Sequence, residues 1–141
     1  MEAKDKSSIL ISIFRRKGSE GQFTKIIDEN SKSQYDNLLS SLDHDEKGLI
    51  VYYRDSVDWL LLTNRRVLAS SNIIILNSDI IEVSPALQEE FRDMVTNKNK
   101  FTRLLVKDKN NKTYILSLEM GYPYEGFFQV LHFIASNNQH T

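Results

Sequence analysis

The stretch DWLLLTNRRVL, residues 58–68, decides how the chain is read. Its aromatic and aliphatic residues suit a pleated, half-buried strand. Alternation puts Trp59, Leu61 and Thr63 on one side, with Leu60 and Leu62 on the other. Asn64 tolerates the left-handed backbone that tight hairpins need. TNRR therefore predicts a turn and VLAS the returning strand. The motif is an antiparallel hairpin.

Strand texture extends outward from it. LIVYYR (49–54) is β-branched and aromatic, and Asp55-Ser56 supply turn chemistry before the hairpin. NIIILN (72–77) and DIIEV (79–83) follow. FTRLLVKDK (101–109) and KTYILSLEM (112–120) are two more strands, joined by a two-residue turn at Asn110-Asn111. Between DIIEV and FTRLLVKDK, SPALQEEFRDMVTNK (84–98) predicts a helix. Ser84 is its N-cap, Pro85 its first position, and Leu87, Phe91 and Met94 its apolar stripe. GYPYEGFFQVLHFIASN (121–137) carries the closing helix, which is expected to begin after Tyr124. Phe127, Val130, Leu131 and Ile134 form its buried face, and Phe128 and Phe133 widen it.

The first 47 residues read as helical. Ile9, Leu10, Ile13 and Phe14 share a helical face, and Gly18 to Gly21 breaks that element. Phe23, Ile26 and Ile27 predict a second short helix. Tyr35, Leu38, Leu39 and Leu42 predict a third, with its start near Ser33. The fold class is α+β: an antiparallel sheet with a C-terminal helix. Residues 1–47 are a helical N-terminal extension, packed as one unit with a domain over 48–141.

With 141 residues the chain can bury a core without staples. A formal net charge of −1 supplies no global field toward nucleic acid or anionic membrane. No cysteine is present, which excludes disulfides, thiolate metal sites and cysteine nucleophiles. The apolar run from Ile9 to Phe14 is too short for a signal peptide, and no run reaches the ~20 apolar residues of a membrane span. The expected location is the cytoplasm.

The hydrophobic strand with its LTNRRVL hairpin, the DIIEV segment, the later hairpin and the apolar closing helix together resemble the bacterial pleckstrin-homology-like domains. The resemblance covers residues 48–137. It implies an antiparallel sheet closed by the terminal helix. The helix over 84–98 and the helical N-terminal third depart from the plain pattern. That fold hosts unrelated functions, so function has to be read from sites.

Few residues suggest chemistry. His44 lies in the acidic loop DHDE (43–46), which lacks calcium-loop spacing and reads as solvated. His132 sits at the edge of the closing helix's apolar face, and His140 lies in the tail. No G-x-S-x-G, H-E-x-x-H, P-loop or G-x-G-x-x-G motif occurs. Glu89 and Glu90 are explained by the dipole of an exposed helix face. No catalytic residue, metal or cofactor is expected.

The leading reading is therefore a non-enzymatic binding or scaffold module that engages a protein partner, of which an inhibitor or immunity-type protein is one instance. Tyr122 and Tyr124, ahead of the closing helix, are the partner-binding candidates. The alternative is a peripheral binder of anionic lipid or phosphate. It would use Lys98, Lys100, Arg103, Lys107, Lys109 and Lys112, with Arg103, Lys107 and Lys109 on one face. Lysines that protect a strand edge explain the same residues, and outside this stretch acids outnumber bases, so membrane contact would be weak. Nucleic acid is not expected, because only Phe101 and Tyr114 interleave with the basic residues.

Overall fold

The computed structural model describes residues 6–139, so His140 lies outside the described residues. Helix α1 spans Ser7–Lys17, strand β1 Thr24–Ile26 and the single-turn helix α2 Asp36–Leu39. Strands β2 (Gly48–Asp55), β3 (Asp58–Thr63), β4 (Arg66–Ala69) and β5 (Ile73–Leu76) follow. Strand β6 covers Ile80–Pro85, helix α3 Leu87–Arg92, β7 Arg103–Asp108, β8 Thr113–Ser117 and helix α4 Tyr122–Gln139. The strands form two antiparallel sheets, one ordered β1-β2-β3-β4-β5 and one ordered β6-β7-β8. The fold is α+β, with an N-terminal and a C-terminal helix.

The hairpin at residues 58–68 forms, but its turn is held differently from expectation. Asn64 is not among the positive-φ residues, which are Ser71, Asn72, Met94, Asn111 and Gly121. Instead the Thr63 hydroxyl accepts hydrogen bonds from the Arg65 and Arg66 N–H groups at 3.0 and 2.9 Å. The Asn64 side chain accepts from the Lys47 N–H and so fastens the turn to the start of β2.

Alternation sorts the first sheet into two buried faces. Ile50, Leu60, Leu62 and Val67 face the second sheet and α4, where they meet Leu104, Val106, Leu116, Phe127 and Leu131. Val51, Leu61 and Leu68 face outward and are covered by Tyr35, Leu38, Leu39 and Leu42 of the N-terminal extension. Helix α1 packs on α4, and Phe14 meets Phe127 edge to face at 5.6 Å. The second sheet alternates more plainly: Leu104, Val106 and Asp108 are buried, while Arg103, Leu105 and Lys107 are half-buried.

Four expectations need correction. Phe23 to Ile27 is not a helix, because Thr24–Ile26 pairs with Ile50, Val51 and Tyr52 as an edge strand. The third expected helix shrinks to a 3-10 turn at Lys32–Tyr35 and the one turn of α2.

The helix over 84–98 starts later and shows the opposite face. Ser84 and Pro85 belong to β6, paired with Leu105 and Leu104, so Ala86 is the cap. Leu87, Phe91 and Met94 are exposed, whereas Glu90 is fully buried. Fully burying a carboxylate requires partners. Glu90 has them: the Thr102 N–H donates at 2.7 Å, and Arg103 Nε lies 3.4 Å away.

The β7–β8 connection is a type I turn followed by one left-handed residue, not a two-residue turn. The Asn111 N–H donates to the Asp108 carbonyl, and only Asn111, with φ of 66°, is left-handed.

Candidate docking surface

The two tyrosine candidates part company. Both lie inside α4 rather than ahead of it. Tyr124 is 2% exposed, packs edge-on against Phe101 and donates its hydroxyl to the Arg103 carbonyl at 2.8 Å. Burial raises its phenol far above the ordinary range. It is a core anchor and cannot meet a partner. Tyr122 is 73% exposed and lines a small cavity with Lys98, Asn99 and Glu125.

The six basic residues do not form one patch. Arg103 is engaged by Glu90, by Asp93 and by the Glu89 carbonyl. That guanidinium holds the Asp93 carboxyl below its ordinary range. Lys109 pairs with Asp79 at 3.0 Å, and Lys112 lies over the Tyr114 ring at 5.1 Å. Lys98 and Lys100 sit apart, on a 3-10 turn before β7. Lys107 stands opposite Glu82 across the ladder.

The acidic loop is structural at one of its residues. Glu46 is buried, accepting from Thr63 Oγ1 at 2.6 Å, from Arg66 Nε and Nη2 at 3.0 Å, and from the Asp43 N–H. Burial pushes its carboxyl up, but Arg66, Thr63 and the Asp43 N–H outweigh that and leave it below the ordinary value. Asp45 pairs with Arg65, and His44 is exposed. Among the described residues no group of three or more histidine, aspartate or glutamate side chains could hold a metal ion.

The surface with most to offer a partner is one that sequence reasoning missed, the edge at β5. Among the described residues strand β5 pairs only with β4, with Ile74 opposite Leu68 and Leu76 opposite Arg66. The Asn77 N–H donates to the Arg65 carbonyl in this ladder. Hydrogen-bonded and non-bonded pairs alternate in antiparallel sheets. Ile73 and Ile75 therefore turn their backbone groups toward β4, while Ile74 and Leu76 turn theirs to the free edge. No loop or side-chain hydrogen bond among the described residues reaches the Ile74 groups or the Leu76 N–H, while the Leu76 carbonyl starts the 3-10 turn at Asn77–Asp79.

The same two residues expose their side chains, Ile74 by 57% and Leu76 by 49%. Beside them lies a groove of about 350 Å³, walled by Trp59, Leu68, Ile73 and Ile74. Here the cover supplied by the N-terminal extension stops. From Val67 to Ser78 the chain carries no charge.

Two other outer strands, β1 and β6, are protected. The β1 edge is occupied by its own preceding loop, since the Ile26 N–H donates to Glu20 and the Thr24 carbonyl accepts from Gly21. On β6, the Ile80 and Ile81 carbonyls accept from Asn138 and Gln139 of α4. An edge left apolar and uncharged is a template for another strand. The sequence carried the signal, four consecutive aliphatic residues in NIIILN. It did not show that this strand would be last in its sheet.

A cavity of about 500 Å³ also opens between α1, α2 and the start of β2. Ile11, Ile27, Leu39 and Leu42 line it together with Asp28 and Lys32. It marks the seam where the extension meets the sheet.

Comparison with protein-family models, with curated proteins and with solved structures finds no match to this chain.

Proposed function

We propose that the chain is a non-enzymatic protein-binding module of pleckstrin-homology-like fold, whose partner adds an extended segment along β5. One observation carries this reading. Ile74 and Leu76 combine backbone groups that face away from β4 with exposed aliphatic side chains. Strand addition draws affinity from main-chain hydrogen bonds and selectivity from pockets for alternate side chains. The groove beside Trp59 and Leu68 is such a pocket.

Support for the fold resemblance comes from the order of four strands (β2–β5), three strands (β6–β8) and a closing helix. Strand β1 and helix α3 are additions to that order. The anionic-lipid or phosphate reading has less behind it, because Arg103 and Lys109 already face carboxylates.

Amide exchange on dilute protein tests the edge directly. Ile74 and Leu76 should exchange fast and Ile75 slowly. A photo-crosslinking residue at Leu76 should give a protein adduct of defined size in the native cell, and one at Asn110 should give none. Slow exchange at Ile74 and Leu76, or no adduct at Leu76, removes the reading.

A further inference from the structure

We infer that β5 is the contact between two copies of this chain, joined antiparallel about a two-fold axis through Ile75. The inference rests on the strand-addition reading above and names its occupant. Only the run from Ile73 to Leu76 is available as an edge. Before it, Ser71 and Asn72 turn with φ of 69° and 61°, and after it Asn77–Asp79 is a 3-10 turn. A partner strand therefore has to be short and has to turn away at both ends. A second β5 does both.

The register is self-complementary. With Ile75 opposite its own counterpart, Ile74 of each copy stands opposite Leu76 of the other. Those are the residues whose backbone groups face outward, so each pair can exchange both hydrogen bonds, with the Leu76 carbonyl, which starts the following 3-10 turn, accepting on its second lone pair. The exposed Ile74 and Leu76 side chains then become cross-strand neighbours on the outer face. Their burial continues the apolar surface of Leu68 and Trp59.

Charge points the same way. The uncharged run from Val67 to Ser78 gives a charged peptide nothing to complement. It also lacks the lysine, proline or bulge that keeps edge strands from pairing with copies of themselves. Nearby Arg66 is neutralised by Glu46 within its own chain, so no like charges meet across the axis. The contact is isologous, which closes at two copies rather than growing into a filament. Its short length places it with transient interfaces, below roughly 1,200 Å² in total.

Sedimentation equilibrium on the full chain tests the inference, over about 10 to about 500 μM to suit a weak contact. The wild-type mass should rise toward twice the monomer value. Ile74→Lys and Leu76→Glu should each weaken dimerisation at least tenfold. An equimolar mixture of the two variants should dimerise again, because this register sets the new lysine against the new glutamate. A wild-type chain that stays monomeric overturns the inference. So does a dimer that survives both substitutions, or a mixture that stays monomeric.

Amide exchange separates this failure from failure of the underlying reading. A monomer with fast exchange at Ile74 and Leu76 loses only the second copy as occupant. A monomer with slow exchange there loses the open edge as well.

Discussion

The two sheets solve the burial problem differently. The five-stranded sheet is covered on both faces, so Leu60, Leu61 and Leu62 are all 0% exposed in one strand. The three-stranded sheet is covered fully on one face only and leaves Arg103, Leu105 and Lys107 half-buried on the other. The difference comes from the N-terminal extension, whose Tyr35, Leu38, Leu39 and Leu42 lie over the outer face of the first sheet. A doubly buried sheet is stable but has little surface to offer. Among the described residues the extension reaches no farther than Ser41 at the rim of the groove beside β5, and there the first sheet stays uncovered. Coverage rather than chemistry marks out the candidate surface.

Each sheet also has a buried glutamate bridged by an arginine at the start of a strand: Glu46 with Arg66, and Glu90 with Arg103. Removing one partner of a buried ion pair costs about 3–5 kcal/mol. Arg103→Met should reach that range by urea unfolding, since Glu90 keeps only the Thr102 N–H. Arg66→Met should cost less, since Glu46 keeps Thr63 and the Asp43 N–H. Equal losses would mean that the two clamps are equivalent.

The contrast in coverage can be measured with two leucines. Leu61→Ala removes an outward but fully buried side chain, and should cost about 2–5 kcal/mol. Leu105→Ala on the outer face of the second sheet should cost less than about 1 kcal/mol. A small loss at Leu61 would show that the extension does not seal the sheet.

A smaller effect is expected at the β7–β8 turn. Asn111 holds φ of 66°, where a β-branched residue is strained by roughly 1–2 kcal/mol. Asn111→Val should lose about that much in thermal unfolding, while Asn111→Gly should be neutral or stabilising. Equal stability of the two would remove the left-handed turn.

The subtlest test uses pH. Glu46 has a folded pKa below its ordinary value of 4.5, so it stabilises the fold above that pH. The contribution is lost as pH falls through the lower folded value. Glu46→Gln should therefore flatten the decline in stability below about pH 4.5. It should not abolish the decline, because Asp28, Asp93 and Asp108 are lowered as well. An unchanged acid limb would mean that Glu46 is not ionised in the fold.

Most of the sheet was legible because alternation and turn residues are local. The hairpin at Asn64, the strands at 49–54, 72–77 and 101–117, and the buried face of the closing helix all follow from spacing. Failures arose where distant partners decide. Thr24–Ile26 is a strand only because Ile50–Tyr52 lies beside it. The stripe Leu87, Phe91 and Met94 was a sound helical pattern, yet Arg103 and the Thr102 N–H draw Glu90 inward and turn that stripe to solvent. Tyr124 is available to a partner only if the helix begins after it, whereas α4 begins at Tyr122 and buries Tyr124. The candidate edge was visible as an aliphatic run, but strand order is a property of the sheet and not of any segment.

The carboxylate of Glu119 has a consequence for how the molecule is made. It accepts hydrogen bonds from the Gln22 and Phe23 N–H groups and from Thr24 Oγ1, at 2.8, 3.0 and 2.8 Å. The first strand of the chain is thus tied down by a residue just beyond the last. During synthesis, β1 can pair with β2 early, but its other fastening is still to be translated. Helix α1 waits in the same way for α4. The N-terminal third therefore leaves the ribosome before its anchors exist, and long-range closure of this kind slows folding. Helix α1 and the start of β1 lock only when the C-terminal residues arrive.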